Sequence, residues 1–276
     1  IVGAPAYDSS HADQGAVAFF KWDGIAWGWL TTLYGLSANA GDRLGACVDI
    51  DAPSGFAVAS APGDDDGAFT DCGAVTAFRY IDPNWSTSQR LVAPDRENNA
   101  GFGDVAISSG RLVIGAPNKD VGGQADAGEA YLFLQDGWTW SYDQSLYPPT
   151  PHANDYFGCS VACEDDVILV GAFFASSYHG EVYPYTLAYG AITAWPALAA
   201  SGTGVPQLGT DVALSEGTLV AGAQMSSSPD TALCGAAYAF SSRGLVTGVV
   251  RDAETGEGLA GKEVSAFYPG APDEPD

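Results

Sequence analysis

The chain has 276 residues, of which 46% are hydrophobic and 12% aromatic; this is enough apolar material for a sizeable core and argues against a disordered chain. It carries 34 acidic and 10 basic residues, and the net charge of −24 disfavours nucleic acid and anionic lipid as partners. No apolar run approaches the length of a membrane helix, so no membrane insertion of this segment is expected.

A short apolar run ending in Gly-Ala-Pro, or a close variant of it, recurs along the chain. The five copies lie at residues 1–5, 58–62, 112–117, 169–173 and 220–224, and their shared alanines are 51 to 57 residues apart. A fixed period of this length indicates stacked supersecondary units. The apolar residues of each run are consecutive, which predicts a strand that is buried on both faces.

Each unit is predicted to contain four strands, with the apolar run as the second. The first strand begins at a Phe-Gly or Leu-Gly pair, at residues 44–48, 102–107, 157–161 and 208–214. The third runs from a Gly to an aromatic residue, at residues 15–20, 73–78, 128–133, 180–185 and 235–240. The fourth carries a Trp that is predicted to be core, namely Trp27, Trp85, Trp138 and Trp195. Unit one lacks its first strand, and unit five lacks its Trp strand.

One such unit is too small to bury a core of its own, so its stability must come from packing on neighbouring units. Four-stranded antiparallel units stacked face to face around an axis form a β-propeller. We therefore predict an all-β fold, with propeller repeats over residues 1–241.

The order Phe-Gly, Gly-Ala-Pro and Gly-Ala-x-x-x-Phe resembles the FG-GAP repeat of integrin α-subunit propellers and their many bacterial relatives. The resemblance implies an extracellular propeller, usually with seven blades, that acts in adhesion or ligand binding. Five copies are too few for seven blades. The chain is therefore either an incomplete ring or a ring that closes at five blades.

Calcium is the cofactor that the resemblance raises. Integrin-type repeats hold it in a D-x-[DN]-x-D-G loop between the first two strands, but the connections here are short hairpins, and residues 49–55 lack the third acid. Acids cluster instead after Gly-Ala-Pro, where Asp64, Asp66 and Asp71 are the best candidates for calcium ligands. The alternative is that these Asp side chains cap turns, since Asp13, Asp71 and Asp126 each lie two residues before the Gly of the third strand.

Residues 242–276 differ in composition. Their first part resembles the start of a carboxypeptidase-regulatory-like β-sandwich, and the Pro- and Asp-rich end is predicted to be a linker or frayed terminus. The chain is thus expected to belong to a larger multidomain protein or assembly.

No catalytic constellation is recognisable. His11, His152 and His179 share no ligand spacing, and neither a nucleophile elbow nor a phosphate-binding loop is present. Of the five cysteines, Cys159 and Cys163 are too far apart on one predicted strand to bond each other. We therefore predict a protein that is not an enzyme.

Three functions remain open. The first is a secreted or cell-surface propeller that binds an extracellular protein or glycan through its rim loops. The second is an accessory or catalytic propeller of a secreted polysaccharide-degrading enzyme, which would require two carboxylates in one pocket. The third is a structural repeat unit of a surface assembly.

Overall fold

The computed structural model describes residues 1–188, 190–200, 206–226 and 235–241. Within these residues the chain forms five antiparallel sheets, here called blades one to five. Blade one contains β1 (Val2–Ala4), β2 (Ala16–Trp22) and β3 (Trp27–Leu33), and blade two contains β4 (Val48–Asp51), β5 (Phe56–Ala61), β6 (Ala74–Ile81) and β7 (Asn84–Leu91). Blade three contains β8 (Asp104–Ser108), β9 (Arg111–Ala116), β10 (Glu129–Asp136) and β11 (Thr139–Leu146).

Blade four contains β12 (Ser160–Glu164), β13 (Val167–Ala172), β14 (Glu181–Ala188), β15 (Ala191–Ala194) and β16 (Leu198–Ala199), with the helical turn α1 (Ala175–Tyr178) before β14. Blade five contains β17 (Leu208–Ser215), β18 (Thr218–Ala223) and β19 (Ala236–Ser241). Strands within a blade pair in chain order, except that β16 pairs with β14 beside β15. The predicted all-β propeller fold of four-stranded antiparallel blades is confirmed.

The hydrophobic core lies between consecutive blades. The second strands are its centre: every residue of β5 is buried, as is every residue of β9 after Arg111. Phe56 of blade two, for example, belongs to the same buried cluster as Phe102 and Leu112 of blade three. Similar clusters join blades one and two, three and four, and four and five. The prediction that the second strands are buried on both faces is therefore correct for β5, β9 and β13 and wrong for β1 and β18, in which Val2 and Val220 are exposed.

The fourth-strand tryptophans require a correction. Trp27 and Trp138 are 68% and 60% exposed, so the prediction of a core position is wrong for both. In blade three the buried tryptophan is Trp140. Trp138 lies in the turn before β11, where the centre of its ring is 4.4 Å from the Arg79 guanidinium. The pairing register shows that Trp27, Trp85 and Trp140 are equivalent. Each pairs with a third-strand residue that lies five positions after the third-strand residue paired with the last Leu of the fourth strand.

Two of these equivalent tryptophans contact the preceding blade. Trp85 of blade two stacks on Phe19 of blade one, with ring centroids 4.7 Å apart. Trp140 of blade three meets Phe56 of blade two edge to face at 5.3 Å. Blade one has no preceding blade among the described residues, and its Trp27 is exposed. The tryptophan therefore packs between blades rather than inside its own blade.

Glycines set the spacing between blades. A Cβ atom on Gly115, the Gly of Gly-Ala-Pro in blade three, would lie 2.0 Å from the Gly158 carbonyl oxygen of blade four. A Cβ on Gly171 would lie 2.1 Å from the Gly209 carbonyl oxygen of blade five. No side chain fits in such a space, so the two glycine motifs of the repeat face each other at these contacts. Between blades two and three, Ser60 occupies the position of Gly115 and faces Gly103. The predicted close backbone approach at the Phe-Gly strand is thus present.

Carboxylates bind the first strand of the next blade. The first strands β4, β8, β12 and β17 lie side by side, and each exposes one row of amides at a sheet edge. Each of four acids accepts a hydrogen bond from a backbone amide in the following blade. The pairs are Asp49 with Ile107 at 2.8 Å, Asp51 with Ser109 at 3.0 Å, Asp104 with Val161 at 2.6 Å and Glu164 with Gly217 at 3.4 Å. Asp49 and Asp51 of β4, in the segment most similar to the integrin calcium motif, therefore accept hydrogen bonds from amides.

Cys47, Cys72, Cys159 and Cys163 carry free thiols, and burial raises the pKa of Cys47, Cys159 and Cys163 to about 12. The predicted module at residues 242–276 lies outside the described residues, as does Cys234. No helix in the part of the chain that the structure describes is long and apolar enough to cross a bilayer.

Candidate functional site

The three predicted metal ligands lie in the loop between β5 and β6, but two of them face arginines. Arg90 on β7 contacts both oxygens of Asp64 and places its Nη1 3.2 Å from an Asp66 oxygen. Arg96 contacts the other Asp66 oxygen. The Asp64 side chain is only 8% exposed, so the guanidinium of Arg90 serves as its counter-ion inside the protein.

Asp71 has a different role in the same loop. Its backbone amide donates to the Asp65 carboxylate at 2.8 Å, and its φ of 48° lies in the left-handed region. In blades one and three, the Asp13 and Asp126 amides make the same kind of bond at φ values of 48° and 52°, with Asp8 and Asp120 as acceptors. This geometry matches the turn-capping interpretation of these acids, since Asp tolerates left-handed backbone better than most residues.

Arg90 and Arg96 therefore compete with calcium for two of its predicted ligands. Asp64 and Asp66 already have cationic partners, and this donor set does not fit a metal ion held between them. Among the described residues, no group of three or more His, Cys, Asp or Glu side chains is placed to hold a metal. The prediction of calcium at Asp64, Asp66 and Asp71 can be tested directly by titration.

The structure contains a different candidate site, a cleft of about 490 Å³ at the rim of blade four. Its walls come from the linker between β11 and β12, from α1, and from the start of β14. The residues that carry its chemistry are His152, Asp155, Phe174, Ser176, Tyr178, Glu181 and Tyr183. We call it the blade-four cleft. Clefts formed by loops on a rigid scaffold are the usual location of binding sites.

Two carboxylates face this cleft. The Glu181 carboxylate accepts hydrogen bonds from the Tyr183 hydroxyl at 2.5 Å and from the Ser176 hydroxyl. Asp155 has a side chain that is 7% exposed, and its Oδ2 accepts the His152 backbone amide at 2.9 Å. No hydrogen bond from the described residues reaches its second oxygen, Oδ1. The cleft therefore holds one oriented carboxylate and one buried carboxylate with a free acceptor.

Burial and charge perturb the acids of the cleft. Burial raises the pKa of Asp155, the His152 amide opposes this rise, and repulsion from Glu181 adds to it. Burial also raises the pKa of Tyr183, and the hydrogen bond to Glu181 raises it further. The charge of His152 also opposes the rise in the pKa of Asp155.

Aromatic rings form one side of the cleft. Phe174 lies 4.3 Å from Phe173 and 5.1 Å from Tyr178 between ring centroids, and Tyr178 is 56% exposed. Ser176, Ser177 and Tyr178 have φ values of 54°, 61° and 70°, so three consecutive residues without a glycine are left-handed. Such backbone costs on the order of 1 kcal/mol or more per residue and persists where the surroundings hold it. Here it directs the Ser176 hydroxyl to Glu181 and exposes the Tyr178 ring.

The sequence does not predict this cleft. His152 has no partner at a ligand spacing, and Asp155 and Glu181 come from separate elements that no sequence spacing connects. One signal was visible: Gly-Glu-x-Tyr begins the third strand in only two repeats, at residues 128–131 and 180–183. The loop before the second of these is also shorter than its equivalents, and this short loop contains α1.

The arrangement can bind polar or cationic groups beside an apolar surface. Carboxylate oxygens accept hydrogen bonds from hydroxyl or ammonium donors, and ring faces accept sugar rings, alkyl chains or cations. No Lys or Arg is among the described residues that line the cleft.

Comparison with known proteins gives limited further information. No curated protein matches the chain. Among solved structures, a mutant of NanB sialidase from Streptococcus pneumoniae is similar, with 13% identity and a TM-score of 0.47. The match covers 76% of this chain but only 32% of that one, so this chain spans about a third of that protein. A likeness at this level says nothing about activity.

The family profile of the FG-GAP repeat matches residues 85–133 and 140–185. These two segments run from β7 to β10 and from β11 to β14, and thus include the glycine contacts between blades three and four and much of the blade-four cleft. The chain therefore contains FG-GAP repeats.

Proposed function

We propose that the protein is an extracellular binding module that recognises a protein or glycan through the blade-four cleft. The observation that carries this proposal is the convergence of an aromatic wall and two carboxylates in one open cleft, on loops that the blades hold in place. FG-GAP repeats are typical of extracellular proteins, which favours this setting.

Two features support binding over a purely structural role. Tyr178 is largely exposed although it is aromatic, and it lies on a backbone segment in an unfavourable conformation. A spacer would gain stability from a relaxed loop and a buried ring, whereas a binding site uses a rigid exposed ring at little entropic cost. The cleft volume of about 490 Å³ is within the range of small-ligand sites.

The test is an array of glycans and extracellular-matrix proteins and peptides probed with the intact protein. Binding is expected, and Tyr178→Ala should weaken it at least about tenfold, as removal of a central aromatic contact does. The matched control is Trp29→Ala, which removes an equally exposed ring on blade one and should leave binding unchanged. Absence of binding to every class, or equal loss in both variants, would refute the proposal.

Hydrolysis of a polysaccharide is a second candidate, favoured by one observation. Asp155, with a raised pKa, and Glu181, which accepts two hydroxyl donors, share the cleft and have the different environments that a general acid and its partner need. Release of reducing ends from a panel of polysaccharides tests it. Activity that Asp155→Asn abolishes would establish catalysis, and equal activity in that variant would exclude this cleft as its source.

A further inference from the structure

The blade-four cleft has an acceptor that is buried and unpartnered. The Asp155 side chain lines the cleft and is only 7% exposed. Its Oδ2 accepts the His152 amide at 2.9 Å, and no hydrogen bond from the described residues reaches its Oδ1. A buried acceptor without a donor costs free energy, and this cost is removed when a ligand supplies the donor. The cleft therefore favours a ligand with a hydrogen-bond donor at Asp155.

The other polar groups of the cleft are also mainly acceptors. The hydroxyl hydrogens of Ser176 and Tyr183 are used in their hydrogen bonds to Glu181. A hydroxyl has one hydrogen but two lone pairs, so each of these groups can only accept from a ligand. Donors are available at the exposed side chains of Thr150 and Asn154, which also line the cleft. A ligand that matches the cleft must consequently supply several donors and few acceptors.

Anionic ligands do not fit this charge distribution. Arg90 and Lys119 neutralise rim acids in blades two and three, but no Lys or Arg is among the described residues that line the blade-four cleft. Its titratable base among these residues is His152, whose ring is 70% exposed. A carboxylate or sulfate in the cleft would face Asp155 and Glu181 without a fixed counter-charge, and like charges in contact are strongly unfavourable.

The acceptors do not form one ion site. Among the described residues, no group of three or more His, Cys, Asp or Glu side chains is placed to hold an ion. Asp155 and Glu181 have different hydrogen-bond partners. Their repulsion raises the pKa of Asp155 less than burial does. Separate acceptors suit hydroxyl groups around a sugar ring, which can meet several of them at once, whereas one ammonium or metal ion cannot.

An aromatic ring is available for stacking beside these acceptors. The Tyr178 ring is 56% exposed, and the Phe174 ring supports it edge to face with centroids 5.1 Å apart. The electron-rich face of an aromatic ring attracts the C–H groups on the apolar face of a sugar ring. The cleft thus combines a stacking surface with acceptors for the hydroxyl groups at the edge of the same sugar.

We propose that the blade-four cleft binds uncharged sugar residues, with the sugar stacked on Tyr178 and its hydroxyl groups donating to Asp155 and Glu181, and that it rejects acidic sugars. This inference rests on the proposed binding function and specifies its ligand. The two carboxylates then have two roles, because they accept hydrogen bonds from the bound sugar and repel its acidic analogues.

The probes are three uncharged sugars, lactose, cellotriose and mannotriose, each titrated into the intact protein and followed by NMR. The acidic counterpart of each probe carries a carboxylate in place of its terminal hydroxymethyl group. We expect roughly millimolar affinity for at least one uncharged probe and binding at least about tenfold weaker for its acidic counterpart. N-acetyl-arginine N-methylamide forms a further arm; tighter binding of this compound than of every uncharged sugar would overturn the proposal in favour of a basic protein ligand.

Three variants localise the binding. Tyr178→Ala should weaken binding of the uncharged sugar about tenfold, whereas Tyr178→Phe keeps the ring and should retain it. Glu181→Gln removes one charge from the cleft and should reduce the preference for the uncharged sugar over its acidic counterpart at least about threefold. The matched control is Asp143→Asn, which removes one charge at an exposed position on β11 and should leave this preference unchanged. Thermal melting checks folding, and if Glu181→Gln does not fold, the two Tyr178 variants decide.

The outcomes separate this inference from the proposed function. If the intact protein binds a protein or an acidic glycan of the array but none of the uncharged sugars, the binding function stands and this inference is wrong. If Glu181→Gln folds and keeps the full preference, or if Tyr178→Ala binds as well as Tyr178→Phe, the inference is also wrong. If no ligand of any class binds, both proposals fail. Binding of an uncharged sugar that needs the ring of Tyr178 supports it.

Discussion

Blades two and three hold their rim acids with cations of the chain, whereas blade four holds its rim acids with hydroxyls and one backbone amide. Arg90 and Lys119 are mostly buried and each contacts two acids, while Asp155 and Glu181 face an open cleft. The first four strands of the three blades pair in the same order. The same frame can therefore carry either a closed ion pair or an open acceptor site, depending on the residues of its rim loops.

The largest effect is expected from Arg90→Ala in blade two. It would leave Asp64, whose side chain is 8% exposed, without its counter-ion. Removing one partner of a buried ion pair costs roughly 4 kcal/mol in the free energy of unfolding. Urea unfolding measures this loss. Arg90→Lys should recover only part of it, because an ammonium cannot reproduce the forked contact; full recovery would mean that charge alone matters.

A pH-dependent change is expected from Asp104→Asn, at a partly buried acid that has an amide as partner instead of a cation. Burial raises the pKa of Asp104 from its ordinary 3.8 to about 6. Between pH 4 and pH 6 the folded protein thus holds a proton that the unfolded chain has lost, so stability falls as the pH rises through this window. The rise in the pKa of Asp104 from 3.8 to about 6 corresponds to roughly 3 kcal/mol in the free energy of unfolding.

Asn at position 104 has no charge but can still accept the Val161 amide, so the variant should be more stable than the wild type above pH 6 and similar to it near pH 4. Unfolding at several pH values gives the difference between the two proteins. Asp42, whose pKa burial also raises to about 6, is present in both and cancels in this difference. If the free energies of unfolding of the two proteins change in parallel with pH, Asp104 is not the source of this pH dependence.

A smaller loss, roughly 2 kcal/mol, is expected from Lys119→Ala in blade three. The loss is smaller than at Arg90 because Asp95 is 54% exposed, and water can solvate its charge once the lysine is gone. Lys21→Ala, at an exposed lysine, is the control and should change the free energy of unfolding by less than about 0.5 kcal/mol. Butylammonium should partly restore the stability of Lys119→Ala; no restoration would show that the loss does not come from the missing ammonium.

Calcium is expected to have the smallest effect. With Arg90 and Arg96 on Asp64 and Asp66, added calcium should leave the melting temperature unchanged relative to a chelator. A rise in melting temperature that Asp66→Asn abolishes would instead establish calcium at the predicted ligands Asp64, Asp66 and Asp71.

The frame of the molecule was predictable because its signals are local and repeated. The apolar run before Gly-Ala marks a strand in all five copies, and the Phe-Gly or Leu-Gly pair precedes or begins the first strand of blades two to five. Their glycines correspond to backbone contacts such as Gly115 with Gly158. The Trp positions were less predictable: Trp138 and Trp140 differ by two residues, and only the strand register decides which one is buried.

The candidate site was not predictable, because its residues meet through tertiary contacts. Asp155 and Glu181 lie on either side of a complete hairpin, and the acids that looked most like metal ligands are paired with arginines distant in sequence. A high density of Asp residues cannot reveal which of them already has a partner. The sequence also does not show that Lys119 of blade three and Ala175 of blade four occupy the same backbone position.

The glycine contacts between blades have an evolutionary consequence. At Gly115 and Gly158 the neighbouring blades touch through main-chain atoms, which all amino acids share, so the distance between blades does not depend on any particular side chain. Rim loops can then exchange residues freely, while any residue larger than glycine at these two positions would force the blades apart. Saturation mutagenesis should accordingly show strict intolerance at the glycines and wide tolerance a few residues away, so that new specificities can arise without rebuilding the scaffold.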